Sequence, residues 1–164
     1  MNNSRDALQP ALLDRLKNDT GPGETGHAIS KDLLRKLVLR DLESLFNSTC
    51  ALTKSEMDAH PTVAGTVVAY GMPPIAGQVV SSIEVRRFEG MVAALIRRYE
   101  PRIDPDSVRV KAETEQQLMN LHNVIGLQIT GLLWSRPYPI ELALRTEVDL
   151  ETGKVALLPL TGFN

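Results

Sequence analysis

The stretch IELALRTEVDLETGKVALLPL, residues 140–160, decides the fold class. Its first half alternates between apolar and mostly polar positions, which is the period of a half-buried strand. The residues that share the apolar face are Ile140, Leu142, Leu144, Thr146, Val148 and Leu150. ETGK, residues 151–154, predicts a turn, and VALLPL, residues 155–160, predicts a strand whose proline suits only a sheet edge. The stretch therefore indicates an antiparallel sheet with one buried face.

Two earlier segments extend this sheet toward the N-terminus. The first alternates at Val108, Val110 and Ala112, and the second carries Leu121, Ile125, Leu127, Ile129 and Leu133 on one face. SRPYP, residues 135–139, separates the second segment from residue 140 and is typical of a turn. We therefore predict an antiparallel sheet of three to four strands.

The residues before Pro101 have a helical period instead. Ser30 is a good N-cap for a first helix with Asp32 in its first turn, and this helix should fade at residues 47–49. Its apolar stripe is Leu34, Val38, Leu42, Leu45 and Phe46. A polar loop is expected from there to His60.

Two more helices are predicted before the sheet. Pro61 suits the first position of a short helix that ends near Tyr70, with Gly71 as its C′ residue. YGMPPIAG, residues 70–77, then predicts a rigid, buried turn. Ser81 and Glu84 form a capping-box pattern at the start of the next helix, which Pro101 ends. Its buried stripe is Phe88, Met91, Val92, Leu95, Ile96 and Tyr99.

The order of these elements defines the fold class. Helices come first and consecutive strands follow, so we predict an α+β protein with helices packed on one face of the sheet. We expect residues 30–164 to form a single domain and residues 1–29 to form a flexible tail. Within the tail, Leu12, Leu13 and Leu16 make an apolar segment, followed by a glycine-rich linker. This segment docks either on its own core or in a groove of a partner.

Composition excludes several classes of function. The net charge is −2, so no strong field favours nucleic acid, and no run of about 18 apolar residues would insert into a membrane. One cysteine allows no internal disulfide, and the N-terminus lacks the apolar region of a secretory signal. We therefore expect a cytoplasmic protein that binds neither nucleic acid nor the bilayer interior.

Catalytic signatures are weak. His27, His60 and His122 are scattered, Cys50 is alone, and no phosphate-binding or metal-binding motif is present. Glu100 lies near Asp104 and Asp106, as a pair of glycosidase acids would, but acidic residues near a turn are common. We expect no catalytic residue, no metal, no cofactor and no enzymatic activity.

The motif Glu100-Pro101-Arg102 places an acidic residue at the end of a predicted helix. An acidic residue at a helix C-terminus is poorly placed in the helix dipole, which calls for an explanation. Pro101 disfavours a helical conformation at Glu100, so Glu100 and Arg102 could project from a stiff turn as a charged fork for a partner. The alternative is that Glu100 pairs with Arg97, Arg98 or Arg102 inside the monomer.

Several segments together resemble a known family. They are LLDRL (12–16), LRKLVLRDLESLFNS (34–48), TVVAYGMPPIAG (66–77), YEPRI (99–103) and DLETGKV (149–155). The chain resembles the TssE family of type VI secretion baseplate subunits, which is related to phage baseplate wedge proteins and carries a lysozyme-like name. VLRDLESLFN, the YG-x-P turn and EPR are the most specific segments when taken together.

The resemblance implies a structural role. It implies contacts with the wedge subunits TssF and TssG and with the first ring of the contractile sheath, and it assigns the Glu100-Pro101-Arg102 motif to the wedge. The last strand, with Val155 and Leu157, is expected to accept a strand of the sheath subunit, because a monomer should not leave an apolar edge bare. The alternative function, a peptidoglycan hydrolase, rests only on the family's lysozyme-like name.

Overall fold

A computed structural model describes residues 30–77, 83–113, 123–135 and 138–160 of the 164-residue chain. The α-helices are α1 (Lys31–Phe46), α2 (Lys54–Ala59) and α3 (Val85–Tyr99), and the strands are β1 (Arg109–Ala112), β2 (Val124–Leu133), β3 (Ile140–Asp149) and β4 (Val155–Pro159). The strands form one antiparallel sheet in the order β1-β2-β3-β4. The predicted α+β class is therefore confirmed. The predicted tail, residues 1–29, lies outside the described residues.

Helix α1 forms as predicted. The Ser30 side chain accepts a hydrogen bond from the Leu33 N–H at 3.2 Å, which satisfies one of the free donors at the helix start. The five residues of the predicted apolar stripe are all buried. Asn47 is the C-cap, so the helix ends where the sequence predicted.

Helix α2 occupies part of the segment predicted to be a polar loop, so that prediction is wrong. The Thr53 side chain accepts from the Glu56 N–H, and the Glu56 carboxylate accepts from the Thr53 N–H at 2.8 Å. Lys54 and Asp58 also form an ion pair one turn apart, at 2.6 Å. This local capping box explains a six-residue helix that has no buried residue.

The segment after Pro61 is only partly as predicted. It contains two short 3-10 helices, Val63–Gly65 and Val67–Ala69, in place of one helix starting at Pro61. Tyr70 caps the second, and Gly71 follows with φ +111°, a positive value as expected for a C′ glycine. The next residues are buried as predicted, at Met72 and Ile75.

Gly71 lets this turn approach the end of α1. The Met72 N–H donates to the Ser48 carbonyl at 2.8 Å, and the Cys50 N–H donates to the Met72 carbonyl at 2.7 Å. A Cβ added at Gly71 would lie 2.5 Å from the Ser48 oxygen. The position therefore needs glycine for both its conformation and its close contact.

Helix α3 begins later than the sequence predicted. Glu84 is its N-cap and makes no side-chain cap hydrogen bond, so Glu84 is not the third residue of the helix, as the proposed capping box requires. Ser81 itself lies outside the described residues. The buried face is largely as predicted, with Phe88, Val92 and Ile96 in the core.

The two faces of the sheet differ as the alternation predicted. Residues of β2 and β3 on one face join the helices in the core, including Leu127, Ile129 and Leu144. On the other face, Arg145 pairs with Glu113 at 2.9 Å. Gly126 leaves room for this pair, because a Cβ there would lie 2.6 Å from a Glu113 carboxylate oxygen.

The turn between β3 and β4 is held by Asp149. Its carboxylate accepts hydrogen bonds from the Thr152 hydroxyl at 2.7 Å and from the Glu151 N–H at 2.8 Å. These bonds, the Thr152 hydroxyl first, hold the pKa of Asp149 below its usual value. The turn therefore depends on the ionised form of Asp149.

This dependence predicts a pH effect on stability. Because the folded-state pKa is lowered, the contribution of Asp149 is fully present above its unfolded pKa of about 3.9 and is lost as the pH falls through the folded value. Asp149→Asn should therefore lower the melting temperature at pH 7, and the difference from the wild type should close in acid. Thermal melting of both proteins from pH 7 to pH 2 tests this, and a difference that is constant with pH would contradict it.

Candidate functional site

The turn after α3 holds a carboxylate inside the protein. Glu100 is the C-cap of α3, with φ −119° and ψ 80°, outside the helical region as Pro101 predicts. Only 3% of Glu100 is exposed. The expectation that Glu100 projects from the turn is therefore wrong, because its side chain folds back onto Arg102.

Arg102 connects Glu100 to helix α1. Its Nε donates to Glu100 Oε1 at 2.7 Å, and its Nη2 donates to the other Glu100 oxygen and to Asp41 Oδ2, the latter at 2.6 Å. The Arg102 backbone N–H also donates to Glu100, at 3.1 Å. We call Asp41, Glu100 and Arg102 the Arg102 network. It contains the Glu100–Arg102 pair inside the monomer that the sequence analysis held as the alternative.

The network becomes more exposed toward Asp41. The side chains of Arg102 and Asp41 are 22% and 32% exposed, and Asp41 also pairs with Arg40 at 2.7 Å. Burial alone would lower the pKa of Arg102, but hydrogen bonds and charge from Glu100, and then from Asp41, outweigh burial and raise its pKa above the ordinary arginine value. The guanidinium is therefore charged wherever the protein is folded.

A second connection joins α1 to the edge strand β4. The Asn47 Nδ2 donates to the Val155 carbonyl at 2.9 Å, and its Oδ1 accepts from the Val155 N–H at 3.0 Å. The amide thus satisfies both main-chain groups of Val155, as a neighbouring strand would. Asn47 Nδ2 also donates to the Glu43 carbonyl at 2.9 Å, which fixes the side chain on the helix end.

The structure places the predicted site residues in two groups. Glu100 and Arg102 lie in the network, and Pro101 between them is exposed. Val155 is buried and Leu157 is partly buried on β4, at the sheet edge as predicted. Leu12, Leu13 and Leu16 lie outside the described residues. Partner binding by any of these residues stays a prediction.

Sequence reasoning missed the two residues, in α1 and at its C-cap, that connect these groups. Asp41 and Asn47 both belong to VLRDLESLFN, residues 38–47, which the resemblance marks as specific. Asp41 lies 61 positions from Arg102, and Asn47 lies 108 positions from Val155. The family resemblance of this segment was the one indication that its residues matter. A local sequence pattern cannot show which distant residue a side chain contacts in the fold.

Two exposed aromatic residues follow the network at the end of β2. The Trp134 N–H donates to the Arg102 carbonyl at 2.8 Å, and 56% of Trp134 is exposed. Tyr138, before β3, is 74% exposed. Tryptophan, tyrosine and arginine are the residues that most often dominate protein interfaces, so this end of the sheet is a candidate contact surface.

The described residues contain a groove but no cluster of metal ligands. Within them no group of three or more His, Cys, Asp or Glu residues could hold a metal ion, and no helix is long and apolar enough to cross a membrane. One groove of about 270 Å³ lies between Ser107 and Ala143, and Glu141 is the only carboxylate in its lining. Both oxygens of Glu100 are occupied by Arg102.

Most of the chain matches the model of a known protein family. Residues 32–138 match the family described as baseplate wedge protein gp25, a range that includes the Arg102 network and strands β1 and β2 and ends before β3. The match spans well over half of the chain, so the protein is a structural component of a phage or type VI secretion baseplate. The chain belongs to the baseplate wedge protein gp25 family, which includes TssE. Searches of curated proteins and of solved structures gave no match.

Proposed function

We propose that this protein is a TssE subunit of a type VI secretion baseplate in the cytoplasm. It connects the wedge subunits TssF and TssG to the first ring of the contractile sheath and helps nucleate sheath assembly, without catalysis. The family supplies the baseplate role. The observation that carries the finer proposal is the Arg102 network, which joins two of the three most specific sequence segments, VLRDLESLFN and EPR, in one partly buried cluster.

The network supports a contact surface for the wedge. It holds the Glu100–Arg102 turn against α1, and the Trp134 N–H bonds to the Arg102 carbonyl in the same turn. Exposed Pro101, partly exposed Arg102 and exposed Trp134 are thereby presented from a rigid support. Preorganised aromatic and arginine side chains lose little entropy on binding, which favours affinity. Glu100 then acts by positioning Arg102.

Trp134→Ala should weaken binding to the wedge at temperatures where circular dichroism shows the variant folded. The side chain is 56% exposed, and loss of an interface anchor costs about 2 kcal/mol or more, roughly thirtyfold in affinity. Pull-down with co-expressed TssF and TssG measures the effect. Val67→Ala, at an 85% exposed apolar residue of another segment, is the matched control. Equal binding by both variants would contradict the surface.

The edge strand supports the sheath contact. β4 lies at one side of the sheet, and Leu158 on it is 47% exposed. An exposed apolar edge tends to accept a further strand. The role of Leu12, Leu13 and Leu16 as an anchor on this protein or on a partner belongs to the same proposal.

The alternative function is cleavage of peptidoglycan, and we expect none. A glycosidase needs two carboxylates on either side of its substrate, whereas Glu100 is bonded to Arg102 and the groove at Glu141 has a single acid. The purified protein should leave the turbidity of a cell-wall suspension unchanged. Lysis by the wild type that is lost in Glu100→Gln or Glu141→Gln, with folding verified by circular dichroism, would contradict this.

The proposed function as a whole is tested in cells. A strain that lacks this protein should form no fluorescent sheaths, and the wild-type gene should restore them. Normal sheath frequency in the deletion strain would overturn the proposed role in nucleation.

A further inference from the structure

The main-chain groups of β4 point alternately toward β3 and toward the open edge of the sheet. The Asp149 N–H donates to the Lys154 carbonyl, and the Leu160 N–H donates to the Ala143 carbonyl. The main-chain N–H and carbonyl groups of even-numbered β4 residues therefore point toward β3. In an antiparallel ladder the main-chain groups of the alternate, odd-numbered residues point away from β3, toward the open edge. Those residues are Val155, Leu157 and Pro159.

Only one of these three offers a complete pair of main-chain groups. Asn47 already binds both groups of Val155, and Pro159 has no N–H. Within the described part of the chain, no residue bonds to the outward N–H or carbonyl of Leu157. The open edge therefore offers one main-chain N–H donor, at Leu157, and two carbonyl acceptors, at Leu157 and Pro159.

We propose that Asn47 is a stop that fixes the register of an incoming strand, so that one partner residue pairs with Leu157 through both of its main-chain groups. The occupant is an extended segment of the contractile sheath subunit, and this rests on the proposed function. A second bond, to the Pro159 carbonyl, extends the pairing in one direction only. In the other direction the Asn47 amide occupies the place of the next partner residue.

The surroundings define the chemistry of the paired residue. Arg35 near the start of α1 donates to the Glu141 carbonyl of β3 at 3.3 Å, and Asn47 at the end of α1 binds Val155 of β4, so α1 spans this side of the sheet. Leu39 lies on that side by helical spacing, and Leu39 and Leu157 are both partly buried against the core. The partner residue opposite Leu157 is therefore apolar, since its side chain enters the same face as Leu157.

Hydrogen–deuterium exchange at single residues tests the register, using the full chain with and without the sheath subunit. The isolated chain should exchange the Leu157 amide fast, and the sheath subunit should slow it by about tenfold or more, the factor that a newly formed hydrogen bond can supply. If the sheath subunit binds but the Leu157 amide still exchanges fast, the proposed register is wrong, whereas the proposed sheath contact stands. No binding at all would overturn both, and a slow Leu157 amide in the isolated chain would show that this chain fills its own edge.

Asn47→Ala tests the stop, with Ser48→Ala as the control on the same turn. Ser48 bonds to the Ser44 carbonyl and not to β4. In the isolated Asn47→Ala variant, the Val155 amide should exchange about fivefold to tenfold faster than in the wild type. In the complex of this variant with the sheath subunit, both the Val155 and the Leu157 amides should be protected. Val155 exchange that is unchanged in Asn47→Ala would overturn the role of Asn47.

Discussion

Replacing Arg102 with alanine is expected to lower the free energy of unfolding by about 3 kcal/mol, at the low end of values for a broken buried ion pair. The change leaves the Glu100 carboxylate, 3% exposed, with a backbone N–H as its remaining partner in the network. We place the effect at the low end because the Arg102 side chain is 22% exposed. The melting temperature should fall by about 10 °C for a chain of this size.

Urea unfolding measures this effect against two controls. Lys54→Ala breaks an ion pair whose side chains are 71% and 65% exposed, and should cost less than about 0.5 kcal/mol. Arg102→Lys keeps the charge but loses the forked geometry, so it should lie between the wild type and Arg102→Ala. A loss in Arg102→Ala no larger than that in Lys54→Ala would show that the network contributes little to folding.

This expectation replaces the one that follows from sequence alone. An exposed Glu100 and Arg102 would leave the melting temperature within a few degrees when either is mutated. Burial of Glu100 overturns that estimate. Binding assays on Arg102 variants must therefore be made at a temperature where circular dichroism shows the variant folded, so that loss of binding is distinct from loss of fold.

Gly71→Ala should be destabilising by about 3 kcal/mol, from an unfavourable positive φ and from steric overlap. The added Cβ would lie 2.5 Å from the Ser48 oxygen and 3.0 Å from the Cys50 nitrogen. Both contacts are to backbone, which cannot move aside as a side chain can. Because Ser48 follows Asn47, the same strain should disturb the end of α1 that holds β4.

Gly90→Ala is the matched control for this second prediction. Gly90 lies inside α3, and a Cβ there would meet nothing within 4 Å. Alanine should stabilise the helix by about 0.5–1 kcal/mol. The two glycine variants should therefore shift the urea midpoint in opposite directions, and a Gly71→Ala midpoint at or above the wild-type value would contradict the role of Gly71.

The parts of the fold that follow a regular period could be predicted from the sequence. The alternation at residues 140–150 predicted the buried face of β3, and the helical stripe from Leu34 to Phe46 predicted α1. Pro159 correctly indicated an edge strand. These signals are local, so each could be interpreted without knowledge of the rest of the chain.

The site could be predicted only in part, because its contacts join distant positions. The EPR motif identified Glu100 and Arg102, and the family resemblance is confirmed. Neither indicated that Glu100 is buried, since an acid before a proline gives no sign of what covers it. α2 was missed because six residues are too few for a helical period, although its capping box was present in the sequence.

Co-elution in size-exclusion chromatography tests the central claim most directly. The full chain, co-expressed with TssF and TssG, should elute with both in one wedge complex, and Trp134→Ala should reduce its share of that complex while Val67→Ala does not. Elution of the wild-type chain alone, at the volume of an 18.1 kDa protein, beside a TssF–TssG complex would contradict the claim.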